Sequence, residues 1–177
     1  MKLYDLKSFY IITDIKEHNQ NKKNLLCLID DMKESSLDNI SKTDWNLPRE
    51  IKRQYRDVFY EMIEPYMKEM AALLKFKSCK INNIWYQSYS KYDHHDWHVH
   101  SDVNYTNVYY LNLPNKNIKT QLYDIKETKI MNEIELEEGQ LFTFPANILH
   151  RSPINISNEK KTIISFNSNF DNFLGDN

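Results

Sequence analysis

Glycine is nearly absent: Gly139 and Gly175 are the only two in 177 residues. Phosphate-cradling loops and dinucleotide fingerprints need several glycines at fixed spacing, so kinase, P-loop and Rossmann chemistries are excluded. Cysteine is equally scarce. Cys27 and Cys79 match no zinc spacing and are too few to staple a small secreted domain, which points to free thiols in a reducing cytoplasm. No run approaches the ~20 apolar residues of a membrane span, and the first residues, Met1 to Lys7, lack the continuous apolar core of an export signal. The net charge of −2 arises from mixed signs, with neither a basic stripe for nucleic acid nor an acidic tail. The expectation is a soluble, unexported protein with no nucleic-acid or membrane partner.

What is present has a clear order. The length fits one domain, large enough to bury roughly two-thirds of its unfolded surface. Residues 3 to 13 alternate loosely as a short first strand, and Asp14 to Met32 reads as a helix with Leu25, Leu26, Leu28 and Ile29 on its apolar side. Ser35 to Trp45 is a polar connection. Pro48 suits the first turn of a second helix, whose stripe of Ile51, Tyr55, Val58, Phe59, Met62, Tyr66, Met70, Leu73 and Leu74 is a core face. Pro65 inside that stripe should kink or divide the helix. After Lys77 the residues become β-type. Val108 to Leu111, Gln121 to Tyr123, Ile134 to Leu136, Gln140 to Phe144 and Thr162 to Phe166 read as successive strands between turn residues. Helices followed by many short strands predict an α+β, mainly β, chain: a jelly-roll core over residues 78–170, with a helical support over 1–77 packed outside.

Four of the six histidines lie between positions 94 and 100. On an extended strand His98, His100 and Asp102 would share one face, because side chains alternate. Imidazole with carboxylate suits iron(II), or manganese in its place, and a His-x-Asp pair answered by a distant His is the sequence form of a facial triad with three open positions. A structural zinc site would instead close with four ligands, often sulfur. The distant histidine is His150, five residues past a glycine turn, a strand and a proline stop in Gly139 to Pro145. Downstream, Lys160 and Lys161 open a strand ending in Ser165-Phe166-Asn167, where a cation could clamp the far carboxylate of an anionic cosubstrate.

These segments together resemble the iron(II)- and 2-oxoglutarate-dependent oxygenases, in particular the short members common in bacterial and phage genomes. The resemblance covers about residues 81 to 170 and rests on Trp97 to His100, Asn107 to Pro114, Glu138 to Pro145 with His150, and Ile164 to Asn167. It implies a double-stranded β-helix with iron held by His100, Asp102 and His150. It also implies 2-oxoglutarate chelating the iron, O2 as co-reactant, and a basic residue on a late strand holding the 5-carboxylate. The chain has lysine where arginine is commoner, and Lys161 aligns better than Lys160. Tyr89 and Tyr110 resemble tyrosines lining the cosubstrate pocket of prolyl-hydroxylase-like members. The implied reaction is hydroxylation of a peptide, for example at proline, or of a small molecule, with release of succinate and CO2 in the cytoplasm, or the host cytoplasm for a phage-encoded member.

Two competitors share residues with this assignment. His98, His100 and His150 resemble the three-histidine set of cupins, which implies a metal-binding protein without oxygenase activity, although Asn104 stands near where a cupin has glutamate. His94 with Asp96 is another formal His-x-Asp pair. A third possibility is a β-sandwich interaction domain with incidental histidines.

Overall fold

The computed structural model describes residues 2, 7–32 and 41–175. Among these residues ten strands form two antiparallel sheets. The larger comprises β1 (Ile11–Asp14), β2 (Lys42–Thr43), β3 (Phe76–Tyr89), β5 (Tyr105–Asn112), β8 (Gln140–Pro145) and β10 (Lys161–Phe173), in the order β1-β8-β5-β10-β3-β2. The smaller comprises β4 (His95–His98), β6 (Gln121–Asp124), β7 (Lys129–Ile130) and β9 (His150–Ser152), in the order β4-β9-β6-β7. Among the described residues two α-helices, α1 (His18–Asp30) and α2 (Gln54–Leu73), and a short 3-10 turn at Lys116–Ile118 accompany the sheets. This is the mainly β jelly roll with outside helices that the residue pattern predicts.

The larger sheet is buried on both faces, which explains its long apolar runs. On β5, Tyr109 and Leu111 pack with the helices while Val108 and Tyr110 face the space between the sheets. Ile164 and Phe166 on β10 follow the first pattern and Ile163 the second. The helical layer docks through Tyr55, Phe59, Met62, Ile63, Met67 and Met70 of α2, spaced to form one stripe. Burying each aromatic fully contributes about 1.5–3 kcal/mol. Gly139 makes the turn into β8 at φ +84°, and a Cβ there would lie 3.0 Å from the His18 ring, so both backbone and packing require glycine.

Several expected boundaries move. The first strand begins only at Ile11, and Leu3 to Leu6 of the expected span lie outside the described residues, as does most of the Ser35 to Trp45 connection. Helix α2 runs unbroken through Pro65, because the packing of its apolar stripe outweighs the one backbone bond that proline removes. Pro48 is not in its first turn: the helix begins at Gln54, and residues 44–53 form turns pinned by side chains. Ile134 to Leu136 is not a strand. Ile134 and Leu136 are nevertheless buried, so their apolar character serves the core between the sheets.

Asp44 holds the pinned segment. Its carboxylate is fully buried, and Oδ2 accepts from Arg53 Nε at 2.9 Å, the Tyr55 hydroxyl at 2.8 Å and Arg56 Nη2 at 3.1 Å. Its Oδ1 accepts the Tyr86 N–H at 3.0 Å, tying the segment to the C-terminal part of β3. The next residue, Trp45, is thereby set edge-on against Trp85 with ring centroids 4.6 Å apart. Asp44→Ala should destabilise the fold by about 3–5 kcal/mol, because four donors lose their acceptor and Arg53 is left buried without its counter-charge. Urea unfolding checks this; a loss below 1 kcal/mol would show that the network is dispensable.

Candidate metal centre

Strands β4 and β9 pair antiparallel, with His98 opposite His150 and His95 opposite Ser152. Two residues on β4, Asp96 and Trp97, therefore lie opposite the single Arg151 on β9, and this bulge turns both His95 and His98 to the same side. His100 lies just past β4, where its N–H donates to the Ala146 carbonyl at 2.9 Å. One ring nitrogen from each of His98, His100 and His150 lies within 4.8 Å of the others, a spacing that could hold one metal ion.

The opposite ring nitrogens are committed. His98 Nδ1 donates to the Asp96 carbonyl at 2.7 Å and His150 Nδ1 to the Ile148 carbonyl at 2.8 Å. His100 Nδ1 meets Asn167 Oδ1 at 2.7 Å. Oxygen acceptors require the proton on Nδ1, so each Nε2 keeps a lone pair, and the rings are oriented as metal ligands usually are. Burial, with mutual repulsion adding to it, holds His150 down at about 3, and burial also lowers His98 and His100 from the usual imidazole range. The three are neutral at pH 7.

Asp102 is not brought into this group. It is exposed at the rim, with φ +61°. The alternation that would align it with His98 and His100 fails because β4 ends at His98 and the chain turns before β5. Asp96 is also exposed, and its side chain accepts from the Trp97 N–H. His94 lies outside the cluster.

The two lysines separate completely. Lys160 reaches Asp30 at 2.6 Å on the outer surface. Lys161 has no exposed area and points into the space between the sheets, where Nζ donates to the Ile118 carbonyl at 2.6 Å and to Ser152 Oγ at 2.8 Å. It lies over the Tyr89 ring at 4.9 Å and the Tyr110 ring at 6.0 Å, and the Tyr110 hydroxyl accepts the Thr120 N–H. Among the described residues no carboxylate faces it, and burial pushes its pKa down to about 7.

Two spaces meet at the histidines. An outer cleft of about 940 Å³ is lined by Trp45, Trp85, several Asn side chains, Asp96 and Asp102, with no lysine or arginine among the described residues. An inner chamber of about 30 Å³ leads from the histidines past Thr106, Thr120 and Ser152 toward Tyr89. Thr106 Oγ1 is buried there with no hydrogen-bond partner. Sequence reasoning missed Thr106 and His95, whose ring stacks on His98 at 4.0 Å. Only the bulge in β4 brings His95 inward, and no residue type announces it. The partner of His100, Asn167, lies in a motif visible in the sequence, but its role is not.

No family model and no curated protein matches the sequence. Solved structures do. An oxidoreductase of the 2OG-Fe(II) oxygenase family from Burkholderia pseudomallei aligns at TM-score 0.72 and 8% identity, over 93% of this chain and 85% of that one. The non-heme alpha ketoglutarate dependent epimerase SnoN from nogalamycin biosynthesis aligns at 0.67 and 9%, over 91% and 77%. A prolyl hydroxylase from Trichoplax adhaerens, in complex with a hypoxia inducible factor peptide fragment, aligns at 0.66 and 15%, over 92% and 83%. The fold is thus the one these 2OG-Fe(II) oxygenases share.

The depressed histidines have a consequence for the metal-free protein. In the unfolded chain imidazoles protonate near pH 6.5, whereas His150, 3% exposed in the fold, stays neutral to about pH 3. As pH falls below 6.5 the unfolded state therefore takes up protons first, and stability drops by up to about 1.4 kcal/mol per pH unit from this residue alone. His150→Gln should flatten that slope in urea titrations between pH 6.5 and 4; an unchanged slope would mean that His150 is not buried neutral.

Proposed function

We propose that the protein is an iron(II)- and 2-oxoglutarate-dependent dioxygenase whose metal ligands are His98, His100 and His150. The observation that carries this reading is the pairing, in one interior, of three tautomer-fixed imidazoles with a buried ammonium that has no counter-charge. Three neutral ligands would leave a divalent cation its full charge, which favours a dianionic chelator, and with three protein ligands coordination positions would remain for it. When bound, iron(II) with 2-oxoglutarate and O2 supplies oxidative decarboxylation to succinate and CO2 coupled to oxidation of a substrate carbon.

The chain's own residues do the rest. Lys161 has used two of its three donors, and the third is available to the far carboxylate as a point charge rather than a bidentate fork. Tyr89 and Tyr110 wall that end against water. The inner chamber has room for about one water molecule, so a five-carbon acid entering it displaces the side chains at its neck. Thr106 Oγ1 supplies an unspent hydrogen-bonding group on the way. In the outer cleft the Asn side chains and two carboxylates suit a neutral or cationic reacting portion, such as a peptide segment or a polar small molecule; peptidyl proline is one candidate, by analogy with the prolyl hydroxylase neighbours.

A second reading, a cupin-like metal protein without oxygenase activity, is favoured by the three-histidine set itself. The two part experimentally. Anaerobic iron(II) plus 2-oxoglutarate should give the visible charge-transfer band of the chelate, and admitting O2 should yield succinate; metal binding with neither band nor succinate would establish the cupin-like reading. His98→Ala should abolish metal binding as fully as His100→Ala or His150→Ala, while Asp102→Ala retains it. The reverse ranking would restore the His-x-Asp assignment.

Lys161 makes a separate demand. Its low pKa means that the charged form needed by a carboxylate is lost as pH rises through about 7, so 2-oxoglutarate affinity should weaken between pH 7 and 9. Lys161→Met should raise the 2-oxoglutarate requirement about ten- to a hundredfold and remove that pH dependence, with Lys160→Met near wild type. Equal effects of the two substitutions would defeat the assignment.

A further inference from the structure

Trp45 and Asn83 line the outer cleft, and both also line a separate cavity of about 420 Å³ into which Arg49, Arg53 and Arg56 converge. The three guanidiniums have different duties. Arg53 spends all five N–H groups, on Asp44 Oδ2 and on the carbonyls of Asp44, Leu47, Pro48 and Ile51, so it builds the wall. Arg56 gives Nη2 to Asp44 and Nε to the Tyr55 hydroxyl, and Nη1 has no partner among the described residues. Arg49 is exposed and has none. Asp44 cancels one of the three charges. Among the described residues no acidic side chain lines the cavity, so two of the three positive charges are left without a described counter-charge. The cavity opens beside the first turn of α2, whose N-cap position, Arg53, offers no side-chain acceptor.

This contrasts with the outer cleft, which has two carboxylates and no cation on its walls. An anionic group belonging to a molecule in that cleft is favoured on the far side of Trp45. The open guanidinium of Arg49 together with the free Nη1 edge of Arg56 matches a dianionic tetrahedral oxyanion in charge and in donor geometry better than it matches a monocarboxylate.

We propose that the Arg49–Arg56 cavity is a phosphoryl-binding site, placed to hold the charged end of the molecule oxidised at the metal. The second half of this statement rests on the oxygenase reading; the first does not. Phosphoryl occupancy would anchor a substrate by a part remote from the reacting carbon, the arrangement in which binding far from the chemistry positions the bond to be broken.

The test is titration of inorganic phosphate into the full-length, metal-free chain at pH 7.5 and constant ionic strength, read by calorimetry and tryptophan fluorescence. Removing the metal keeps phosphate from binding at the histidines and separates this outcome from any failure to make succinate. The expected result is saturable binding with a dissociation constant in the millimolar range or tighter, at least about tenfold tighter than for acetate. Arg49→Ala, an exposed residue outside the Asp44 network, should weaken binding at least about fivefold, with Arg49→Lys recovering part of it. Trp45→Phe should remove most of the fluorescence response while leaving the heat of binding. Absence of saturable heat, equal affinity for acetate, or full binding by Arg49→Ala would overturn the proposal. A fluorescence response that persists in Trp45→Phe would overturn its location.

Discussion

The site depends on the pleat of one strand. β10 is hydrogen-bonded on both sides, to β3 and β5, and so cannot slip without breaking two ladders. Its alternation turns Ile164 and Phe166 toward the helices, while Lys161, Ile163, Ser165 and Asn167 face the space between the sheets. Its own alternation, kept while β3 and β5 each shift register against it, sets Asn167 against His100 and, along the same face, buries Lys161 between Tyr89 and Tyr110. A shift by one residue would carry both groups to the helical side.

Electrostatics explains why this arrangement reads as functional rather than merely packed. Histidines clustered within a few ångströms and shielded from water repel protons, and their Nδ1 acceptors fix the remaining lone pairs. Nearby, an ammonium without a carboxylate is costly to bury, and the low pKa of Lys161 expresses that cost. Both features cost stability in the protein alone, and a cation at one end with an anion at the other would offset them.

Much of this was legible in the sequence. The two-sided burial of the large sheet produces continuous β-type runs at Val108 to Leu111 and Thr162 to Phe166, and helical spacing marked the α2 stripe from Tyr55 to Met70. The grouping of His100 with His150 followed from a glycine turn, a strand and a proline stop. Illegible were the features made by backbone irregularity: the bulge that turns His95 and His98 inward together, and the φ +61° turn that leaves Asp102 at the rim. Ile134 and Leu136 misled because burial alone imitates a strand, and Pro48 because side-chain bonds from Asp44 to Arg53, Tyr55, Arg56 and the distant Tyr86 N–H hold the segment before α2 in turns.

The central proposal is that three histidines, rather than two with Asp102, hold the metal, with Lys161 as the partner of the chelator's far carboxylate. Its most direct test is an anaerobic crystal structure with iron(II) and 2-oxoglutarate. The account predicts metal density bonded to Nε2 of His98, His100 and His150, with the chelator's far carboxylate on Lys161 Nζ. An Asp102 oxygen on the metal with His98 displaced, or a carboxylate directed away from Lys161, would contradict it.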